Sequence, residues 1–211
     1  MYSSQINDMK VICIGRNYIE HAKELNNPVP KTPMFFMKPD TSIVFNNNPV
    51  YYPEHTKNMH YEVEIVLKIN KKGKFISEKF ASNYYDEIGI GIDFTARDIQ
   101  DQCKKKGHPW EIAKAFDQSA PVSKFIKKAD LPPPNNISFS LSINGKRKQV
   151  GNTQDMIFSF NEIIAYTSKI VTLKPGDLIF TGTPEGVGPV SIDDHFEAHI
   201  GNEMMMDFYV K

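Results

Sequence analysis

Hydrophobic positions along the chain fall mostly in short runs with a period of two, which predicts a molecule built mainly of strands. Lys10–Gly15 reads as a short buried strand, and Met34–Met37 and Tyr61–Ile69 as two more. Ile137–Ile143 alternates apolar and polar residues over its whole length, and the Asn144-Gly145 pair after it predicts a hairpin turn. Helical spacing is rarer. Residues 16–25 have helical character ended by Asn26-Asn27-Pro28, Thr95 begins a helix that Gly107 stops, and a short helix is expected over Trp110–Phe116. Phe160–Ile170 reads as an amphipathic helix capped near Ser159. The turn Lys174-Pro175-Gly176-Asp177 leads into the strand Leu178–Phe180, and strands near Phe196–Ile200 and Met204–Val210 finish the chain. Strands with a few short helices point to a β-rich α+β class, a sandwich or roll and not a regular βαβ array. With 211 residues and no composition break, one domain over 1–211 is expected.

The polar exceptions to this pattern carry the chemistry. In a strand, side chains at i and i+2 leave from one face, so Glu62 and Glu64 are neighbours inside an otherwise apolar run. Two carboxylates about 4 Å apart repel by roughly 4 kcal/mol at an effective dielectric near 20, so something must neutralise them. A third acid, Asp93, ends the run Ile88-Gly89-Ile90-Gly91-Ile92. Three converging carboxylates make an all-oxygen pocket suited to Mg2+, with Mn2+ as the alternative. Zinc lacks support: Cys13 and Cys103 lie far apart, and no paired Cys or His-Glu-x-x-His spacing occurs. Two further readings stay open at this point, a carboxylate pair sharing a proton as general acid and base and an acidic pair on the solvent face of an edge strand.

Charge narrows the partners. The 25 basic and 25 acidic residues cancel, so no broad basic face for nucleic acid is expected. Lys104-Lys105-Lys106 reads as the solvated end of a helix. Residues 1–10 lack the apolar stretch of a signal peptide, no segment reaches the length of a membrane span, and two unpaired cysteines suit a reducing cytoplasm. The expectation is a cytoplasmic protein that binds neither nucleic acid nor membrane.

Three other groups stand out. His21 and Glu24 share a helix face, where the carboxylate can orient the imidazole and raise its basicity, although such pairs are usually weak surface contacts. Lys114, between Ala113 and Ala115, offers fixed positive charge to an anion, although by sequence it reads better as a snorkelling surface lysine. The glycine-rich stretch Thr181–Pro189 lacks the P-loop and dinucleotide patterns; its amides and hydroxyls suit a small carboxylate, or a plain turn.

Taken in order, Gly15-Arg16-Asn17-Tyr18, His60-Tyr61-Glu62-Val63-Glu64, Asp93-Phe94-Thr95-Ala96-Arg97-Asp98, Ala113-Lys114-Ala115-Phe116 and Thr181-Gly182-Thr183-Pro184-Glu185-Gly186-Val187-Gly188 resemble the signature of the fumarylacetoacetate hydrolase family, from about residue 10 to the end. Gln100–Trp110 is similar to the short single-domain acylpyruvases that also decarboxylate oxaloacetate, whereas Phe116–Pro121 resembles the isomerase branch as much. The resemblance implies a mixed β-sandwich roll, a homodimer, and a lid over about 16–27. It also implies metal ligation by Glu62, Glu64 and Asp93, a water-activating dyad of His21 and Glu24 acting with Lys114, and substrate contacts from Arg16, Gln100 and Thr183. A 2-oxoacid chelating the metal would pass through a stabilised enolate. The activity expected is acylpyruvate hydrolysis or oxaloacetate decarboxylation; the alternatives are keto–enol tautomerisation, hydroxymuconate-type isomerisation, or a dimer that binds metal and oxoacid without turnover.

Overall fold

The computed structural model describes residues 9–25 and 28–211. The expectations about the first eight residues and about the helix stop at Asn26-Asn27 lie outside them. A six-stranded mixed sheet runs in the order Met34–Lys38, Val11–Gly15, Leu178–Phe180, Val63–Ile69, Tyr85–Ile92, Ile126–Lys127. Val11–Gly15 pairs parallel with Leu178–Phe180, and the other pairings in this sheet are antiparallel. A four-stranded antiparallel sheet, Lys146–Asn152, Ser138–Ile143, His195–Ile200, Glu203–Tyr209, forms the second layer. The β-rich sandwich expected from the alternation is therefore what the chain forms.

Both faces of the larger sheet are buried, as its continuous apolar runs require. Ile12, Ile14, Val63, Ile65 and Leu67 join Phe139, Leu141, Phe196 and Phe208 in the main core. Val11, Cys13, Val66 and Phe180 pack on the opposite face. The helix Phe160–Ile170 matches the expected bounds and carries a full capping box, with Ser159 accepting from the Glu162 amide and Glu162 from the Ser159 amide. The hairpin turn is also as expected: Asn144 (φ 53) and Gly145 (φ 72) both take left-handed conformations. Among the described residues, no helix is long and apolar enough to cross a membrane.

Four boundaries differ from the pattern. The first helix spans only Ile19–Glu24, because Arg16 turns to φ 58 and Asn17 is drawn into the core. Its side chain donates to the Phe158 and Thr181 carbonyls and accepts from the Phe158 amide. The strand read as Tyr61–Ile69 breaks at Glu62 into Met59–Tyr61 and Val63–Ile69. Thr95-Ala96 pairs with Met59 and His60 instead of opening a helix, which starts at Arg97 and ends at Gly107 in a left-handed cap. The helix expected over Trp110–Phe116 is one turn, Glu111–Lys114.

Candidate metal and oxoacid site

Strand parity brings the three carboxylates together. Glu62, Glu64 and Val66 alternate onto one face, and in the antiparallel register Glu64 lies opposite Gly91 and Val66 opposite Gly89. Asp93 continues the glycine row beyond the strand end, and its amide donates to the Glu62 carbonyl at 2.8 Å. Directly opposed side chains start about 5 Å apart, so the acids are forced to meet. The glycines make the row passable: a Cβ on Gly91 would come within 2.5 Å of the Phe180 ring. One oxygen from each of Glu62, Glu64 and Asp93 lies within 4.8 Å of the others. All three are buried, so the reading of the pair as a solvent-facing edge does not hold.

Cations neutralise two of the acids and leave the third. Lys114 Nζ lies 2.7 Å from Glu62 Oε2 and 2.7 Å from Asp93 Oδ2, and Arg97 Nη2 pairs with Glu62 Oε1. Burial raises the Glu62 carboxyl, but Lys114 and Arg97 outweigh it and hold the group well below the usual carboxylate range. Burial likewise opposes the Lys114 charge, and Asp93 and Glu62 together keep its pKa above that of an ordinary lysine. Lys114 is 3 % exposed, so the surface-lysine reading is overturned. Glu64 has no ion-pair partner among the described residues; its Oε2 accepts from the Gly182 amide at 2.7 Å. Burial, then Asp93 and Glu62, push its carboxyl well above the ordinary value.

Lys38, which the sequence reading passed over, sits behind the cluster. Its Nζ lies 2.9 Å from Asp93 Oδ1, at an angle outside hydrogen-bond geometry, and donates to the carbonyls of Phe94, Lys114 and Ser119. Asp93 Oδ1 thus lacks a hydrogen bond and Glu64 lacks a counter-charge. A divalent cation held by Glu62, Glu64 and Asp93 would supply both needs, and the hard oxygen donors suit Mg2+ or Mn2+.

The remaining wall comes from helices and loops. His21 is 5 % exposed; its Nδ1 lies 3.2 Å from Glu24 Oε2, and Glu24 Oε1 accepts from the Gly186 amide at 3.0 Å. His21 is therefore built into the cleft, while Glu24, itself exposed, is the partner that holds the imidazole there. With Nδ1 turned to Glu24, Nε2 is the nitrogen left for chemistry. Arg97, also missed in the sequence, donates from Nη1 to Gln100 Oε1 at 2.6 Å. This bond leaves the Gln100 amide hydrogens as donors; the i,i+3 spacing of Arg97 and Gln100 on one helix was the available signal. Arg16, Gln100, Thr183, His21 and Lys114 line one pocket with the three acids, and Lys104 lines it as well. Lys104 is half-buried beside Trp110, unlike the exposed Lys105 and Lys106. Burial first, and then the Arg97 charge, lower its pKa. The lysine run is thus not wholly a solvated helix end. Among the described residues neither Arg16 nor Lys104 has an ion-pair or hydrogen-bond partner.

Known proteins resemble this chain over nearly its full length. A family model described as fumarylacetoacetate (FAA) hydrolase C-terminal matches residues 10–208. The mitochondrial oxaloacetate tautomerase of Bos taurus is 44% identical over 201 residues, 95% of this chain and 91% of that protein. The oxaloacetate tautomerase YcgM of Escherichia coli is 42% identical over 195 residues, 90% of this chain and 89% of that protein. A crystal structure of fumarylpyruvate hydrolase from Pseudomonas aeruginosa, in complex with Mn2+ and pyruvate, superposes with a TM-score of 0.90 at 36% identity, covering 95% of this chain and 88% of that one.

Proposed function

The chain belongs to the fumarylacetoacetate hydrolase family, and on that premise we propose that it is a divalent-metal-dependent enzyme that interconverts the keto and enol forms of oxaloacetate. The observation that carries this reading is the buried Glu62, Glu64, Asp93 cluster opening onto the same pocket as His21, Lys114 and Gln100. The 44% and 42% identity to two proteins named oxaloacetate tautomerase supports it.

Held by Glu62, Glu64 and Asp93, a divalent cation would act as a Lewis acid toward a 2-oxoacid. The chain's own residues do the rest. Gln100, through its amide hydrogens, and Thr183, through its hydroxyl, bind substrate oxygens and fix the orientation of the oxoacid. Lys114 places fixed positive charge where enolate charge develops. His21 Nε2 takes the proton from the carbon next to the keto group, and Glu24 on Nδ1 stabilises the resulting imidazolium. Returning a proton to the oxygen gives the enol, with no atoms gained or lost. Arg16 and Lys104, unpaired at the pocket wall, suit the second carboxylate of a four-carbon diacid.

A second reading is cleavage to pyruvate, by water attack on an acylpyruvate or by loss of carbon dioxide from oxaloacetate. The 36% identity to a fumarylpyruvate hydrolase favours it, and His21 with Glu24 would then activate water. One experiment separates the two. Protein stripped with chelator is given buffer, Mg2+ or Mn2+, and both the keto–enol absorbance of oxaloacetate and pyruvate release from oxaloacetate and acetylpyruvate are followed. Metal-dependent equilibration without pyruvate is the expected result. Metal-dependent pyruvate as the faster process would overturn the tautomerase reading in favour of cleavage.

A further inference from the structure

The four-stranded sheet reaches into the site at one point. Its hairpin pairs Ser142 with Arg147 and Leu141 with Gln149, so Lys148 is an extra residue, a β-bulge. Bulges re-aim the side chains that follow them. Here Arg147 and Lys148 are exposed, while Gln149 is 1 % exposed and points inward. A buried glutamine must find partners, and this one fills its amide. Its Oε1 accepts from the Val63 amide at 2.9 Å, between the two glutamates. Its Nε2 donates to Thr183 Oγ1 and to the Pro184 carbonyl, both at 2.9 Å.

The polarity of this contact is fixed. A carbonyl only accepts, so the end facing Pro184 is the NH2 and the end facing the Val63 N–H is the oxygen. Rotating the amide would set donor against donor and acceptor against acceptor. Thr183 therefore accepts from Gln149, and its single hydroxyl hydrogen, which has no acceptor among the described residues, is left for the pocket that Thr183 lines. The same hairpin backs the rest of the loop. A Cβ on Gly186, whose φ is +94, would come within 2.5 Å of the Lys148 carbonyl, and one on Gly151 within 3.0 Å of Pro184.

We infer that Gln149 is a positioning residue that sets the Thr183 hydroxyl as a hydrogen-bond donor to the substrate carboxylate and ties it at a fixed distance from Glu62 and Glu64. This rests on the reading of Thr183 as a substrate contact, and it adds the group that gives the hydroxyl its direction. Losing one hydrogen bond to a charged group should raise KM about tenfold or more.

The test is a double-mutant cycle with Gln149→Met and Thr183→Val on the metal-loaded protein, reading KM, kcat and Tm with oxaloacetate. Gln149→Met should raise KM about tenfold in the wild-type background and barely change it when residue 183 is Val; its loss in Tm should also be smaller in the Val background, where the shared hydrogen bond is already gone, so KM and not Tm is the deciding readout. Thr183→Ser, which keeps the hydroxyl, should restore the sensitivity. Gln149→Leu, neutral and of similar size, takes the place of Gln149→Met in the cycle if that variant does not fold. An equal KM effect in both backgrounds would show a merely structural glutamine and overturn the inference. So would a loss of Mn2+ affinity, by calorimetry, that matches the loss in kcat/KM, since Gln149 would then act through the glutamates. If Thr183→Val itself leaves KM and kcat unchanged, the substrate-contact reading fails, and this failure is recognisable because it appears without any change at Gln149.

Discussion

The carboxylate wall and His21 of the His21–Glu24 dyad line one pocket but are held there by different means. Glu64 stands on a strand hydrogen-bonded on both edges, to Leu178–Phe180 and to Tyr85–Ile92, and Asp93 is tied to Glu62 through the backbone. The dyad sits on a six-residue helix, too short to be stable alone. It is attached through its entrance, where Asn17 and Tyr18 are buried and paired with Ile157, Phe158 and Met156, and through the bond from the Gly186 amide to Glu24. The difference follows the chemistry. Like charges held close together need a frame that cannot relax, whereas a proton-transfer group needs only contact with the substrate and one partner that sets its tautomer.

This contrast can be broken from either side. Glu64→Ala should have the largest effect, abolishing metal binding in calorimetry and with it all turnover, because no other described acid replaces that ligand; retained affinity would remove Glu64 from the site. His21→Ala should leave metal affinity intact and lower kcat by about 10²–10⁴-fold, the range for loss of a positioned acid–base group; unchanged turnover would remove His21 from proton transfer. Asn17→Ala should act least on chemistry, with about a tenfold fall in kcat as the helix entrance loosens. It should cost roughly 2–3 kcal/mol in denaturant unfolding, because it leaves buried backbone groups at Phe158 and Thr181 unpaired. A fall in metal affinity in this variant would show that the two regions are mechanically joined.

The two regions were also unequally legible. Glu62, Glu64 and Asp93 stood out because charge inside an apolar alternation is expensive, and parity alone put the glutamates on one face. The hairpin at Asn144-Gly145 and the helix Phe160–Ile170 were readable for the same local reasons, turn chemistry and capping. Lys114 reads as a surface residue because its flanking alanines and a one-turn helix carry no burial signal. Only its contact with acids 52 and 21 residues away shows otherwise. Lys38 and Gln149 were invisible, since each lies at a strand position whose neighbours do not mark it. Gln149 depends on a bulge, and a one-residue slip reverses which face a side chain takes.

The sequence by itself determined the strand-rich class, the hairpin, the capped helix and the identity of the acids, because periodicity, turn residues and the cost of buried charge act over a few residues. The tertiary structure alone decided which cations meet those acids, why Glu64 is left without a counter-charge, and how Gln149 directs Thr183. Those outcomes rest on contacts between residues dozens to more than a hundred positions apart, and on charges whose energies depend on the burial that only the assembled sheets create.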